Sequence, residues 1–241
     1  MMAAIHTHET WVYLSTSPLT WLTLTLLAFQ AGVWLHRRCR HNPIVNPVLL
    51  AIVFVAVVLT LTDTGYQAYF DGAQYVHFLL GPATVALAVP LARQFAHIRR
   101  SWLALTVALL VGSATAAGSA VGIAWLLGAS KTTIISLAPK SVTAPVAMGI
   151  AAELGGEATL TAVLVILTGI VGGVFGTVVL HLVRVREPKA VGFALGVASH
   201  GIGTARALHI GELAGAFSGL AMGLNALATA VLLPLVFSLF L

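Results

Sequence analysis

Charge is what this sequence most lacks: 8% of its 241 residues are Asp, Glu, Lys or Arg, while 59% are hydrophobic. A soluble domain is usually about a quarter charged, and no polar stretch here is long enough to form one. Cysteine is nearly absent too: Cys39 stands alone in "HRRCRH", so no internal disulfide can form. No GxSxG, HExxH, Walker A or CxxC pattern occurs, and "GIGTAR" (201–206) has no strand–turn–helix unit around it. An enzyme is therefore not expected, nor a cofactor, nor a metal. His6 and His8 form a short polar tail rather than a ligand set.

What remains is oil. Apolar runs fall at 18–35, 46–62, 78–96, 101–127, 156–183 and 212–240, with two interrupted ones at 131–153 and 190–210. Spanning a bilayer takes roughly 20 apolar residues per helix. The sequence predicts an all-α, polytopic membrane protein with 6–8 transmembrane segments, two of them broken or re-entrant (131–153 and 190–210). Residues 1–17 are read as a short extracytoplasmic tail and 18–241 as a single membrane domain. Small-residue stretches, "GSATAAGSAVG" (112–122) and "GIVGGVFG" (169–176), suit close helix packing. The aromatics of 63–78 suit the outer interface.

Seven acidic residues face twelve basic ones, an imbalance that could suggest nucleic acid. The basic residues are instead grouped at the ends of apolar runs: Arg37, Arg38 and Arg40; Arg93, Arg99 and Arg100; Arg184, Arg186 and Lys189. That is the pattern of cytoplasmic loops, and nucleic acid is not an expected partner. Arginines follow the first run, so the N-terminus is placed outside. Three full crossings between the second and third clusters would put the third outside. One of 101–127, 131–153 and 156–183 should therefore not cross, and 131–153 is the candidate.

The reason lies in its chemistry. "APKSVTAPVAM" (138–148) sets Lys140, Ser141 and Thr143 between Pro139 and Pro145, which break the helix. "ASHGIGTARAL" (198–208) sets Ser199, His200, Gly201, Gly203, Thr204 and Arg206 together, with Gly201 and Gly203 read as the residues that break its helix. Intramembrane cations are expensive and usually functional, and broken helices are tolerated where they line a cavity. Hydroxyls, half-helix N-termini, a lysine and an arginine fork make a site for a small carboxylate. The alternatives are structural: Lys140 latched to Glu153, Arg206 snorkelling near His209 and Glu212, and His200 as a packing residue rather than a proton carrier. Lys131 is read as an interface residue.

These two motifs, with "NPVLLAIV" (46–53), "YFDGA" (69–73) and "FLLGPATVALAVPLARQ" (78–94), resemble the LrgB/CidB family of bacterial membrane proteins. The resemblance runs from Asn46 to the C-terminus. It implies a multi-pass protein of the bacterial inner membrane, often beside an LrgA/CidA-type partner. One family description is a holin/antiholin-like regulator of murein hydrolase export and lysis. Another is transport of small monocarboxylates, such as pyruvate or the glycolate and glycerate carried by a related plastid translocator. The reading favoured here is a transporter or facilitator for a small carboxylate, working in the lipid bilayer as a homo-oligomer. The pore regulator is its alternative.

Overall fold

In hydrocarbon a chain must satisfy its backbone polar groups internally, which favours helices. A computed structural model describes residues 17–39, 42, 45–79, 82, 85–86 and 88–240, and all regular structure among them is helical. The expected tail lies outside the described residues apart from Ser17, as do His6 and His8. The helices are α1 (Pro18–Arg38), α2 (Pro47–Leu61), α3 (Tyr66–Phe78), α4 (Ala88–Arg93), α5 (Phe95–Arg100) and α6 (Trp102–Leu126). They continue as α7 (Lys131–Leu137), α8 (Ala144–Glu153), α9 (Ala158–Leu182), α10 (Pro188–Ile210) and α11 (Glu212–Phe240). Four of these, α1, α6, α9 and α11, are long and apolar enough to cross a membrane. The chain divides into two compact units after Ala86.

In the first unit α1 packs on α2 and α3. Asn46 starts α2 by accepting from the Val48 and Leu49 amides at 2.9 and 3.2 Å, with Pro47 supplying the fixed φ of a first turn. On α3, Tyr69 turns inward against the fully buried Trp21, ring edge to face at 6.1 Å. Gly72 lets α3 touch α1, because a Cβ there would meet the Pro18 carbonyl. Tyr66 and Tyr75 are exposed, so the aromatic segment has an inward edge as well as an outer one.

The second unit is organised around α10. Its helix is interrupted at Ser199 (φ −133°, ψ 16°) and His200 (φ 42°, ψ −129°), while Gly201 and Gly203 continue as helix. His200 thus occupies a left-handed φ that costs a non-glycine residue about 1–3 kcal/mol. Beyond the interruption the chain turns back: Ala207 packs with Val191 and Leu195, and a Cβ on Gly203 would meet the Leu195 carbonyl. In one straight helix Val191 and Ala207 would stand about 24 Å apart. The helix of 188–210 is thus interrupted at Ser199–His200, with Gly203 brought back against Leu195.

Its outgoing half runs parallel to the start of α11, Gly192 against Ala214 and Gly196 against Ser218. It runs antiparallel to α9, where Gly176 faces Leu195, Gly172 faces Ser199 and Gly169 faces the His200 ring. Helix α6 lies alongside, with Leu109 packed among Phe193, Val197, Phe217 and Ala221. Arg93 reaches Glu212 at 3.4 Å between exposed side chains. The second and third basic clusters thus lie at one end of this unit. Of the two small-residue stretches, 169–176 is packed tightly against α10. A Cβ on Gly112 would lie 3.3 Å from a Val197 methyl, but one on Gly118 or Gly122 would meet nothing within 4 Å.

Candidate functional site

The first polar motif is also a break. Helix α7 starts at Ser130, whose side chain accepts from the Thr133 amide at 3.2 Å, and it ends at Leu137. Residues 138–143 are non-helical turns, and α8 begins at Ala144 with Pro145 in its first turn. The two prolines therefore act differently. Pro139 is buried inside the turn, whereas Pro145 is exposed and starts a helix, where its missing N–H costs nothing. Ser136, fully buried, donates to the Thr132 carbonyl and accepts from the Glu157 amide, both at 2.8 Å, tying α7 to the start of α9.

The two breaks meet. Asn225, in the middle of α11 and 1% exposed, donates through Nδ2 to the Ser141 carbonyl (3.2 Å) and the Val197 carbonyl (3.1 Å). One side chain thus serves a carbonyl from each broken segment. Its Oδ1 is buried without a hydrogen-bond partner. Val142, Ala147 and Val165 pack together beneath the first break. The His200 Nε2 donates to the Val165 carbonyl at 3.0 Å; a carbonyl only accepts, so this nitrogen carries a proton. Thr204 bonds the His200 carbonyl at 2.9 Å and shares a 3.0 Å contact with Ser218.

Lys140 closes one side of an open cavity of about 390 Å³ between α9 and α10. Ser199 and Thr168 are its other polar lining, with Leu164, Leu167, Val171, Gly172 and Ala198 forming the apolar wall. Gly172 is essential to that shape, since a Cβ there would coincide with the Ser199 hydroxyl. The Lys140 ammonium lies 3.2 Å from the Ser141 hydroxyl. Among the described residues the one salt bridge is Arg93–Glu212, so neither Lys140–Glu153 nor Arg206–Glu212 is paired.

Of the residues singled out in the sequence, Lys140 and Ser199 share this cavity, and Ser141 touches Lys140. His200, Thr204 and Gly203 build the turn behind it. Thr143 stands at the start of α8 and Gly201 near the Met222 sulfur, outside the cavity lining. Arg206 is not in the lining either. It sits on the returning half-helix, about 9 Å along the axis from the break, half-buried with its Nε unpartnered. Asn225, Ser218 and Thr168 escaped the sequence reading. A lone amide within "MGLNALATA" is itself the kind of intramembrane polar residue that signals a tertiary contact.

The model of the LrgB-like family matches residues 25–239. YxaC of Bacillus subtilis is 37% identical over 91% of this chain and 95% of its own length. A protein named holin-like protein CidB, from Staphylococcus epidermidis, is 33% identical over 83% of this chain and 87% of its own. CidB of Staphylococcus aureus is likewise 33% identical. No solved structure matches the chain. With four helices long and apolar enough to span, and a likeness covering both units, the chain is a multi-pass inner-membrane protein and belongs to the LrgB-like family.

Proposed function

We propose that this chain is a holin/antiholin-like membrane protein that acts with an LrgA/CidA-type membrane partner. What supports this is the likeness to proteins named holin-like CidB over more than four-fifths of either chain. The family match runs across both units, which supports treating 18–241 as one functional domain.

A second reading is favoured by one specific observation: transport or facilitated passage of a small monocarboxylate. The Lys140 ammonium borders a cavity with two hydroxyls and no carboxylate within ion-pair distance among the described residues. A half-buried cation without an anion is costly in a membrane, and a passing carboxylate relieves that cost. The readings separate in liposomes. Uptake of labelled pyruvate, glycolate or glycerate by the chain supports transport, and Lys140→Gln should then slow it roughly 10- to 100-fold, the loss expected for a charge-assisted hydrogen bond. Release of a trapped dye that needs the partner, with no carboxylate uptake and no effect of Lys140→Gln, supports the holin-like role alone.

In this proposal 131–153 and 188–210 are re-entrant hairpins entering from opposite faces, and α6, α9 and α11 cross. With α1 they are the four helices long and apolar enough to span. Single cysteines test this in a Cys39→Ser background. Ser130→Cys and Gly155→Cys should react with an impermeant thiol reagent from outside, and Lys189→Cys and Glu212→Cys only after permeabilisation. Labelling of Gly155→Cys from the cytoplasmic side would reject the hairpin for 131–153.

A further inference from the structure

A second cavity, of about 450 Å³, opens between α6 and the outgoing half of α10. Its two polar lining residues, Ser101 and Lys189, stand at one end, and the rest of the wall is Ala, Gly, Leu, Val and Phe. Along α6 it extends from Ser101 to Gly112, about 16 Å by helical rise. That is half the roughly 30 Å hydrocarbon thickness of a bilayer, the depth of one leaflet. Its polar end is also where Arg99 and Arg100 immediately precede Ser101, both exposed.

An anion lacking a tail gains nothing from such a wall, and an uncharged chain gains nothing from Lys189. We infer that this groove holds an anionic phospholipid of the cytoplasmic leaflet, its phosphate at Ser101 and Lys189 and one acyl chain running past Ala108 and Phe193. Small side chains make the room: Ala108 is exposed, and Gly112 leaves the groove open toward Val197. The inner end is formed by Ala198, which also lines the Lys140 cavity, so the tail and that cavity share one wall. The lipid assignment stands whichever reading of the Lys140 cavity holds, because it uses a different set of polar groups.

The test is lipid retention by the full-length protein purified in mild detergent from a phosphatidylglycerol/phosphatidylcholine mixture, counted by native mass spectrometry. Wild type should retain phosphatidylglycerol over phosphatidylcholine. Lys189→Gln should cut that preference about fivefold, the effect of one basic group near an anionic surface. Ala108→Trp, which fills the groove from an exposed position, should abolish retention of both lipids. Val107→Trp, one residue away and exposed, and Arg184→Gln, exposed and outside the lining, are controls that should retain wild-type behaviour. Equal retention of the two lipids by wild type, an unchanged preference in Lys189→Gln, or full retention in Ala108→Trp would overturn the assignment. So would complete displacement of phosphatidylglycerol by an equimolar free fatty acid, which would make the occupant a fatty acid.

Discussion

Gly196→Val is expected to leave little folded protein in detergent, and Gly192→Val the same. A Cβ at Gly196 would meet the Ser218 carbonyl, and one at Gly192 the Ala214 carbonyl, each inside contact distance. Both obstacles are α11 backbone, so no side chain can rotate away. Overpacking a filled core costs about 1–3 kcal/mol where side chains adjust. Here two helices must separate, opening the shared contacts of Leu109, Phe193, Val197, Phe217 and Ala221. Alanine at either position should lie near the top of that range, and valine beyond it. Gly118→Ala supplies the contrast, since its Cβ meets open space and alanine gains roughly 0.5–1 kcal/mol in a helix. Melting by size-exclusion fluorescence in detergent measures all of them. A Gly196→Val protein with wild-type melting would show that α10 and α11 do not pack this closely.

The second large effect belongs to Asn225. Asn225→Leu keeps the volume but leaves the Ser141 and Val197 carbonyls without that donor. Buried acceptors lose about 1–3 kcal/mol each when unpaired, although single polar contacts in membranes average nearer 0.6 kcal/mol. A net loss of about 1–3 kcal/mol is expected, tempered because the unpartnered Oδ1 disappears as well. Asn225→Asp should be worse despite its smaller change in shape, because it turns an acceptor toward two acceptors. The order wild type, then Leu, then Asp in melting temperature is the signature. The reverse order of the two variants would mean that Nδ2 is not the atom facing the breaks.

Much of this molecule can be read from its residues, and the unreadable part has a common cause. Scarce charge and long apolar runs establish a helical membrane protein. Pro139 and Lys140 point to where regular helix first stops, because each conflicts locally with a hydrocarbon-spanning helix. The second interruption falls at Ser199–His200 and not at Gly201 and Gly203, the breakers expected from the sequence. The positions of those pieces are another matter. Lys140 and Arg206 match in chemistry, yet only Lys140 lines the cavity; reach along a returning half-helix is decided by the turn at His200, not by residue type. Glycine spacing was equally silent. The runs 112–122 and 169–176 look alike, but only the second faces a close partner throughout, since what stands opposite a helix is a tertiary fact. Asn225 and Thr168 sit in oily runs without a local breaker; Asn225 is marked only by being a lone amide, and neither residue's partner can be read from its neighbours in sequence.

One consequence of the Asn225 contacts concerns polarity. Interrupting a helix frees two kinds of backbone group, carbonyls from the end that stops and amides from the end that starts. Asn225 engages a carbonyl from each broken segment. At the other pole, Thr143 leaves the first turn of α8 without a side-chain cap. One amide thus joins two interruptions that lie far apart in the chain. Loss of that single side chain would therefore loosen both segments at once.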